Sequence, residues 1–498
     1  MIKLNIKLQN ENCLDEISNL KNFLKEDWDF KNPIWIENLQ SILNLQSKDG
    51  SFKLVSSNNL PSDARVDFYY IPTYVCTAIL MKAYLLGNSN LNLSNLKITN
   101  YSNLDLSDSK DLKLSNSINT KLYNKIEKAL IKGLKISTLR NLKGHGYDGF
   151  KGQIDALNIF IGGGLREFID LHEDLSPEFT KMILNIKSEL ESKENFTGPW
   201  GESYEEDIIK INEYFNHRLV FTYGTLMNGE SNHGFLSNSE YLESTYVEGY
   251  DMYNVGFYPA IVPGDSEVIG ELYEVPESDM DALDSLEGEG SLYIRKCELI
   301  PLNNRLAYIY VYNQDVSYLE KINSWKDYVW YVSYGSNMLY DRFLCYIKGG
   351  AFEDGGSYNE PCRDTSLPIK VKSLEIPYDM YFGNTSGSWN GCGVSFLDTT
   401  KKGNALAVAY LITREQFEHV AAEENCGRFP DGYGFWYENI KSLGELDGYE
   451  LVTITNDELR PYNDPCEEYL KTLTRGIKEN WPEMSDEDIA DYLESCIR

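Results

Sequence analysis

Two stretches in the carboxyl-terminal half of this 498-residue chain repeat one arrangement, and that repeat limits the fold more than any other feature. Leu219-Val220-Phe221-Thr222 is a short apolar, β-forming run that enters Tyr223-Gly224-Thr225-Leu226. Trp330-Tyr331-Val332-Ser333 enters Tyr334-Gly335-Ser336-Asn337 in the same way. Each reads as a strand, then Tyr-Gly, then a small hydroxyl residue. Glycine there lets the backbone approach a ligand closely, and consecutive N–H groups in such a turn form a cradle for a carboxylate.

An acidic site follows each turn. Met280, Leu283 and Leu286 share a helical face that ends at Glu287, while Phe417 and Val420 share one that ends at Glu424. Glu423 is a rival in the second copy, but it aligns with Leu286 of the first, and the apolar period favours Glu424. Tyr293 and Tyr437 come after the two glutamates, each leading into a strand. From Tyr223 to Glu287 is 64 residues, and from Tyr334 to Glu424 is 90. The second copy therefore carries extra residues, which the Gly- and Cys-containing stretch 349–370 is expected to hold.

The rest of the chain has a different character. Residues 1–215 read as helical, with apolar periods at 35–46, 73–87, 125–137, 153–171 and 177–192. Residues 88–120, rich in Asn, Ser, Leu and Asp without a stable period, read as a flexible surface insertion. Strands and Gly/Pro turns take over at Arg218 and run to about 445, and 463–498 reads as two acidic helices broken at Trp481-Pro482. The expected domains are 1–215, 216–326 and 327–498, because a chain of this length exceeds one hydrophobic core.

A formal net charge of −31 argues against a nucleic-acid partner or an anionic membrane, since phosphates repel such a surface. The amino terminus has no apolar core of a signal peptide. The most apolar run, Tyr69 to Leu86, contains Pro72 and Lys82 and reads as a buried helix, not a membrane span. The nine cysteines form no CxxC pair and no Cys/His cluster, so no metal site or disulfide framework is expected, and a reducing cytoplasm is.

Three further strings give the repeat a family likeness. FTYGTLMNGESNHGFL with LDSLEGEGSLYIR resembles the γ-glutamylamine cyclotransferase branch of the γ-glutamylcyclotransferases. YVSYGSNMLYDR, YFGNTSGSWNGCGVSF and the glutamate of AAEEN resemble the γ-glutamylcyclotransferase branch proper. The likeness covers about 218–315 and 328–498. In the first region, Gln46-Ser47-Lys48-Asp49-Gly50-Ser51-Phe52 resembles the turn of terpenoid-cyclase and prenyltransferase-type α/α toroids, with weaker echoes at 144–150 and 198–202. There it ties one helix end to the next, and the acidic cyclase motif and zinc set are missing; His145 reads as a turn residue.

These resemblances imply a multidomain chain, with an all-α, toroid-like region followed by two α+β cyclotransferase-like domains with mixed β-barrel cores. They imply catalytic Glu287 and Glu424, and substrate contacts from Tyr223, Gly224, Thr225, Leu226, Tyr293, Tyr334, Gly335, Ser336, Asn337 and Tyr437. The substrate implied is a γ-glutamyl amine or peptide, small molecule or peptidic, with no cofactor. The competing expectations are a binding protein that keeps the folds as ligand pockets, and an isoprenoid-type enzyme built on the first region. Because one carboxyl group suffices for the implied reaction, a metal chelator is expected to leave 5-oxoproline release unchanged. Loss on chelation with recovery on adding a divalent ion is the contrary result.

Overall fold

The computed structural model describes residues 4, 13–26, 28, 33–54, 65–96, 109–142, 149–192, 203–300, 305–353, 358–432 and 436–497. They form two compact units, one of Met1–Leu226, Ser231–Leu242 and Tyr246–Glu320, the other of Met227–Glu230, Glu243–Thr245 and Lys321–Arg498.

The first unit opens with eight helices: α1 (Leu14–Lys25), α2 (Pro33–Asn44), α3 (Arg65–Leu96), α4 (Ser109–Leu139), α5 (Gly149–Gly162), α6 (Leu165–His172), α7 (Pro177–Glu191) and α8 (Glu205–Asn216). Helix α3 is the centre of the bundle. From Tyr74 to Leu86 every residue is buried, as a helix apolar on all sides must be. Its one buried lysine, Lys82, donates to the Leu24 carbonyl (3.1 Å) and lies over the Trp28 ring. No helix among the described residues is long and apolar enough to cross a membrane.

The Gln46–Phe52 turn ties the end of α2 to the bodies of α3 and α4. Gln46 Nε2 donates to the carbonyls of Gly50 (3.2 Å) and Ala129 (2.7 Å), and the Phe52 amide donates to Thr73 Oγ1 (3.1 Å). Gly50 has φ +95° and lies against the Lys132 carbonyl, where a Cβ would stand 2.6 Å away. The two weaker echoes fall almost wholly outside the described residues, as does His145.

Three sequence expectations change. The helix expected over 153–171 is two, α5 and α6, separated at Gly163-Gly164, with Gly164 in a left-handed conformation (φ +83°). The ends of the expected 88–120 insertion are helical, since α3 continues to Leu96 and α4 starts at Ser109; leucines and lysines there are adequate helix formers despite the missing period. Residues 97–108 lie outside the described set. Helices α1 and α8 fall in or at the edge of the stretch that reads as helical, but none of the named apolar periods marks them.

The same unit continues into a mixed sheet of β1 (His217–Thr222), β2 (Glu240–Asn254), β3 (Pro259–Pro276), β4 (Tyr293–Ile300) and β5 (Arg305–Tyr312), with α9 (Met280–Glu287) between β3 and β4. Five of its six strands run in the order β4-β5-β1-β3-β2, with β1 antiparallel to β3 and parallel to β5. After β6 (Glu320–Ile322) the second unit contains β7 (Tyr328–Ser333), α10 (Tyr340–Lys348), β8 (Lys370–Ile376), β9 (Asp379–Gly383), β10 (Val394–Asp398), β11 (Ala405–Thr413), α11 (Arg414–Glu424), β12 (Asn439–Leu446), β13 (Tyr449–Thr455), α12 (Glu467–Asn480) and α13 (Asp486–Ser495). Its sheet runs β12-β13-β7-β11-β8, the same order strand for strand, with β7 antiparallel to β11 and parallel to β13. The extra residues of this copy are not confined to 349–370, because the hairpin β9–β10 is also inserted between β8 and β11.

Helices and first sheet meet through buried charge. Arg166 pairs with Glu167 (2.6 Å) and donates to the carbonyls of Tyr214 (2.6 Å) and His217, while Tyr214 Oη donates to Glu167 Oε2 (2.9 Å). Asp170 accepts from Arg218 Nε (2.7 Å) and from Tyr308 Oη (2.8 Å) on β5. Removing one member of such a pair leaves an uncompensated charge in the interior. Glu167→Gln is therefore expected to destabilise the protein by about 3–5 kcal/mol, read as a lowered urea midpoint. A change under about 1 kcal/mol would place Arg166 in contact with solvent.

Candidate functional site

The first site lies where β1 ends. Its cavity, about 90 Å³, is lined by the Tyr223–Leu226 turn, Asn232, Tyr258, Pro259, Leu286, Glu287, Leu292, Tyr293 and Tyr310. Gly224 is needed for packing: a Cβ there would stand 2.5 Å from Pro259 Cγ. Glu287 is the last residue of α9, and the chain then turns away through Gly288 in a left-handed conformation (φ +60°). Burial pushes the Glu287 carboxyl up from its ordinary value to about 7.

Tyr223, Tyr293 and Tyr310 line this cavity, and their hydroxyls are committed elsewhere. Tyr223 Oη donates to the Tyr310 carbonyl on β5 (2.5 Å), and Tyr293 Oη donates to the Pro259 carbonyl (2.7 Å). Thr225 Oγ1 accepts from Asn232 Nδ2 (3.0 Å), which braces the turn. Arg295 points to Asp284 (3.0 Å) and lies over the Tyr308 ring.

The second site repeats the plan in a larger cavity, about 240 Å³. The Tyr334–Asn337 turn, Glu423, Glu424 and Tyr437 all line it. Tyr334 Oη donates to the Ile454 carbonyl on β13 (2.8 Å), as Tyr223 does to β5. Glu424 closes α11 as Glu287 closes α9, and Asn337 Nδ2 donates to Glu424 Oε1 (2.7 Å). Glu423 turns instead toward Asn359 Nδ2 (3.4 Å).

Residues 220–328 match the family described as Gamma-glutamyl cyclotransferase, AIG2-like. The Gamma-glutamylcyclotransferase family protein YtfP of Escherichia coli K12 is 33% identical over 110 residues, which cover 22% of this chain and 96% of that protein. The chain belongs to the γ-glutamylcyclotransferase family. Histone deacetylase 5 of Arabidopsis thaliana is 29% identical over 206 residues, 34% of this chain, and the chain spans 31% of that relative's length. Among solved structures, an aig2-like protein from Mus musculus is 26% identical, with 22% of this chain and 88% of that one covered and a TM-score of 0.21.

Every catalytic or substrate-contact candidate from the repeat lines one of two cavities in this cyclotransferase-family chain, whereas Met280, Leu283, Phe417 and Val420 pack in the core. Sequence reasoning missed Asn232, Tyr258 and Tyr310 in the first. In the second it missed Arg342, Tyr346, Asn359, Trp436 and Tyr469 as lining residues. Arg342 stands inside the quoted string YVSYGSNMLYDR, and its place in that string was the signal available. Nothing local marks the others.

The raised Glu287 pKa has a consequence for stability. The folded state holds this proton more tightly than the unfolded chain, so its contribution is full below about pH 4.5 and is lost as pH rises through about 7. Glu287→Gln has no charge to desolvate. It should exceed wild type in stability at pH 8 by about 1–3 kcal/mol, with the gap shrinking toward pH 5. Urea midpoints at both pH values measure this, and a gap that ignores pH contradicts it.

Proposed function

We propose that this chain is a γ-glutamyl cyclotransferase that releases 5-oxoproline and a free amine, with Glu287 and Glu424 as the acid/base groups. The observation that carries the proposal is Glu287, a carboxyl desolvated at a cavity wall, across from the Tyr-Gly-Thr turn and poised near pH 7. In this reaction the substrate's α-ammonium gives a proton to the glutamate. The freed amine attacks the γ-carbonyl of the same molecule, and a five-membered lactam closes. The glutamate then returns that proton to the nitrogen of the breaking amide, and the second proton, shed by the ring nitrogen as the lactam forms, leaves on the same departing amine as its ammonium. Nucleophile and electrophile are tethered, so the entropic part of the barrier is largely removed in advance. One carboxyl group serves both transfers.

The turn amides of 224–226 and 335–337 are assigned to the substrate's α-carboxylate or to the developing oxyanion. The tyrosines are assigned to wall the cavity with their rings. Glu424 is preferred over Glu423 because Asn337, a turn residue, holds it. For residues 1–215 the proposed role is architectural, supported by the Gln46 tie to Ala129. The described cysteines are free thiols, in keeping with a cytoplasmic setting.

The two sites are expected to differ in the departing amine. Leu226 gives the first an apolar wall. In the second, Asn337 spends its amide donor on Glu424 and keeps a buried Oδ1 without a partner. A site with a polar group to satisfy rejects apolar leaving groups strongly. The first site should prefer an alkylamine-like or lysine-like leaving group, and the second an amino acid.

The test assays 5-oxoproline from both substrate classes with Glu287→Gln and Glu424→Gln. Each variant should lose at least about 100-fold on its own class while the other class is spared. Activity at the first site should rise as pH climbs through about 7, as Glu287 ionises. If the unaltered chain releases no 5-oxoproline from either class, the folds act as ligand pockets, and if it does but neither variant changes turnover, the two glutamates are not the acid/base groups. Equal halving on every substrate would make the sites equivalent.

A further inference from the structure

Among the described residues lining the second cavity, Arg342 is the single cationic side chain, and the first cavity has no counterpart. Arg342 lies on α10 and is 4% exposed. Its Nη1 donates to Asn359 Oδ1 (3.1 Å) and its Nη2 to Tyr346 Oη (2.8 Å). Because that phenolic oxygen accepts from arginine, its own proton is left to point elsewhere, and Glu424 lines the same cavity. Asn337 holds the same carboxylate from the turn side at 2.7 Å. A guanidinium so far from water needs a balancing charge. Glu424 and Glu423 are the carboxylates of the same cavity, and Glu423 accepts from Asn359 Nδ2 (3.4 Å).

We propose that Arg342 is a positioning residue for Glu424, directing the Tyr346 hydroxyl onto the carboxylate and balancing its charge. This rests on the assignment of Glu424 as the acid/base group of the second site. Asn359 fixes the guanidinium from the 349–369 segment, which gives part of this copy's added length a role. The other titratable groups facing Glu424 are Tyr331 on β7, Tyr334 in the turn, Glu423, Cys426, Tyr437 and Tyr469 on α12. None of them is a cation, so the positive charge rests on Arg342 alone.

The test uses the full chain carrying Glu287→Gln, so that the second site alone reports on a γ-glutamyl amino acid. Arg342→Met should lower kcat by up to about 100-fold with KM within about threefold. It should also move the acid limb of the pH profile upward, because a carboxylate without a nearby cation ionises less readily. Arg342→Lys should restore the limb but not kcat, since lysine returns the charge without the two-pronged geometry. Tyr346→Phe should lower kcat with a smaller limb shift. In parallel, the carboxylate infrared band that Glu424→Gln removes is titrated without substrate, and Arg342→Met should shift it in the same direction. Should Arg342→Met fail to fold, Arg342→Lys and Tyr346→Phe carry the test. An unmoved limb and an unmoved band would overturn the proposal and leave Arg342 a packing residue. A band that shifts in a protein making no 5-oxoproline at this site supports the positioning role and removes the proposed turnover there.

Discussion

Parallel pairing is the constraint from which both sites follow. Strand β1 has β3 antiparallel on one side and β5 parallel on the other, and β4 is antiparallel to β5. Strands β3 and β4 therefore run in the same direction at opposite flanks of the β5-β1 pair. A hairpin cannot join them; the chain must cross the sheet, and a helix is the economical way to do so. Helix α9 is that crossing, and its end returns to the level where β1 gives way to the Tyr223–Leu226 turn. The second sheet has the same pairings and solves the same problem with α11. A glutamate at the last helical position is thereby brought to the turn, although 64 residues of chain separate it from Tyr223 in one copy and 90 separate its counterpart from Tyr334 in the other.

The tyrosines of the two turns explain how that meeting point is held. Each sends its hydroxyl to a carbonyl of the parallel neighbour, Tyr310 in one sheet and Ile454 in the other. A buried phenol without a partner is costly, so these bonds fix the turn against the strand that topology places farthest away in sequence. The aromatic ring then becomes cavity wall. The tyrosine of the motif thus stabilises the site's shape, and the chemistry is left to the carboxyl group and the backbone.

From one plan the two copies build different electrostatics. Glu287 sits among Tyr223, Tyr293 and Leu286 without a cation, and desolvation alone governs it. Glu424 accepts from Asn337 and shares its cavity with Arg342, Tyr346 and Asn359. The difference comes from the parts the second copy adds: α10, the segment carrying Asn359, and the hairpin β9–β10. A larger cavity lined by a buried arginine is the result, where the first copy has a smaller one lined by no cation among the described residues.

The sequence alone determined the repeat, the strand that precedes each turn, the helix that precedes each glutamate, and the acidic helices at the end. These are local matters, set by residue spacing and by the backbone needs of glycine. It also determined that Tyr69–Leu86 is a buried helix, because a run apolar on every side has to be enclosed. Tertiary structure decided which groups face each other. Asn337 meeting Glu424, Arg342 reaching Asn359, and Tyr223 bonding to Tyr310 join residues 87, 17 and 87 positions apart, and no local period encodes such meetings. It also decided the break between α5 and α6 and the place of the second copy's added length. The physical reason is the same in each case: spacing along a chain fixes which face a side chain occupies, while strand order and crossover fix what that face meets.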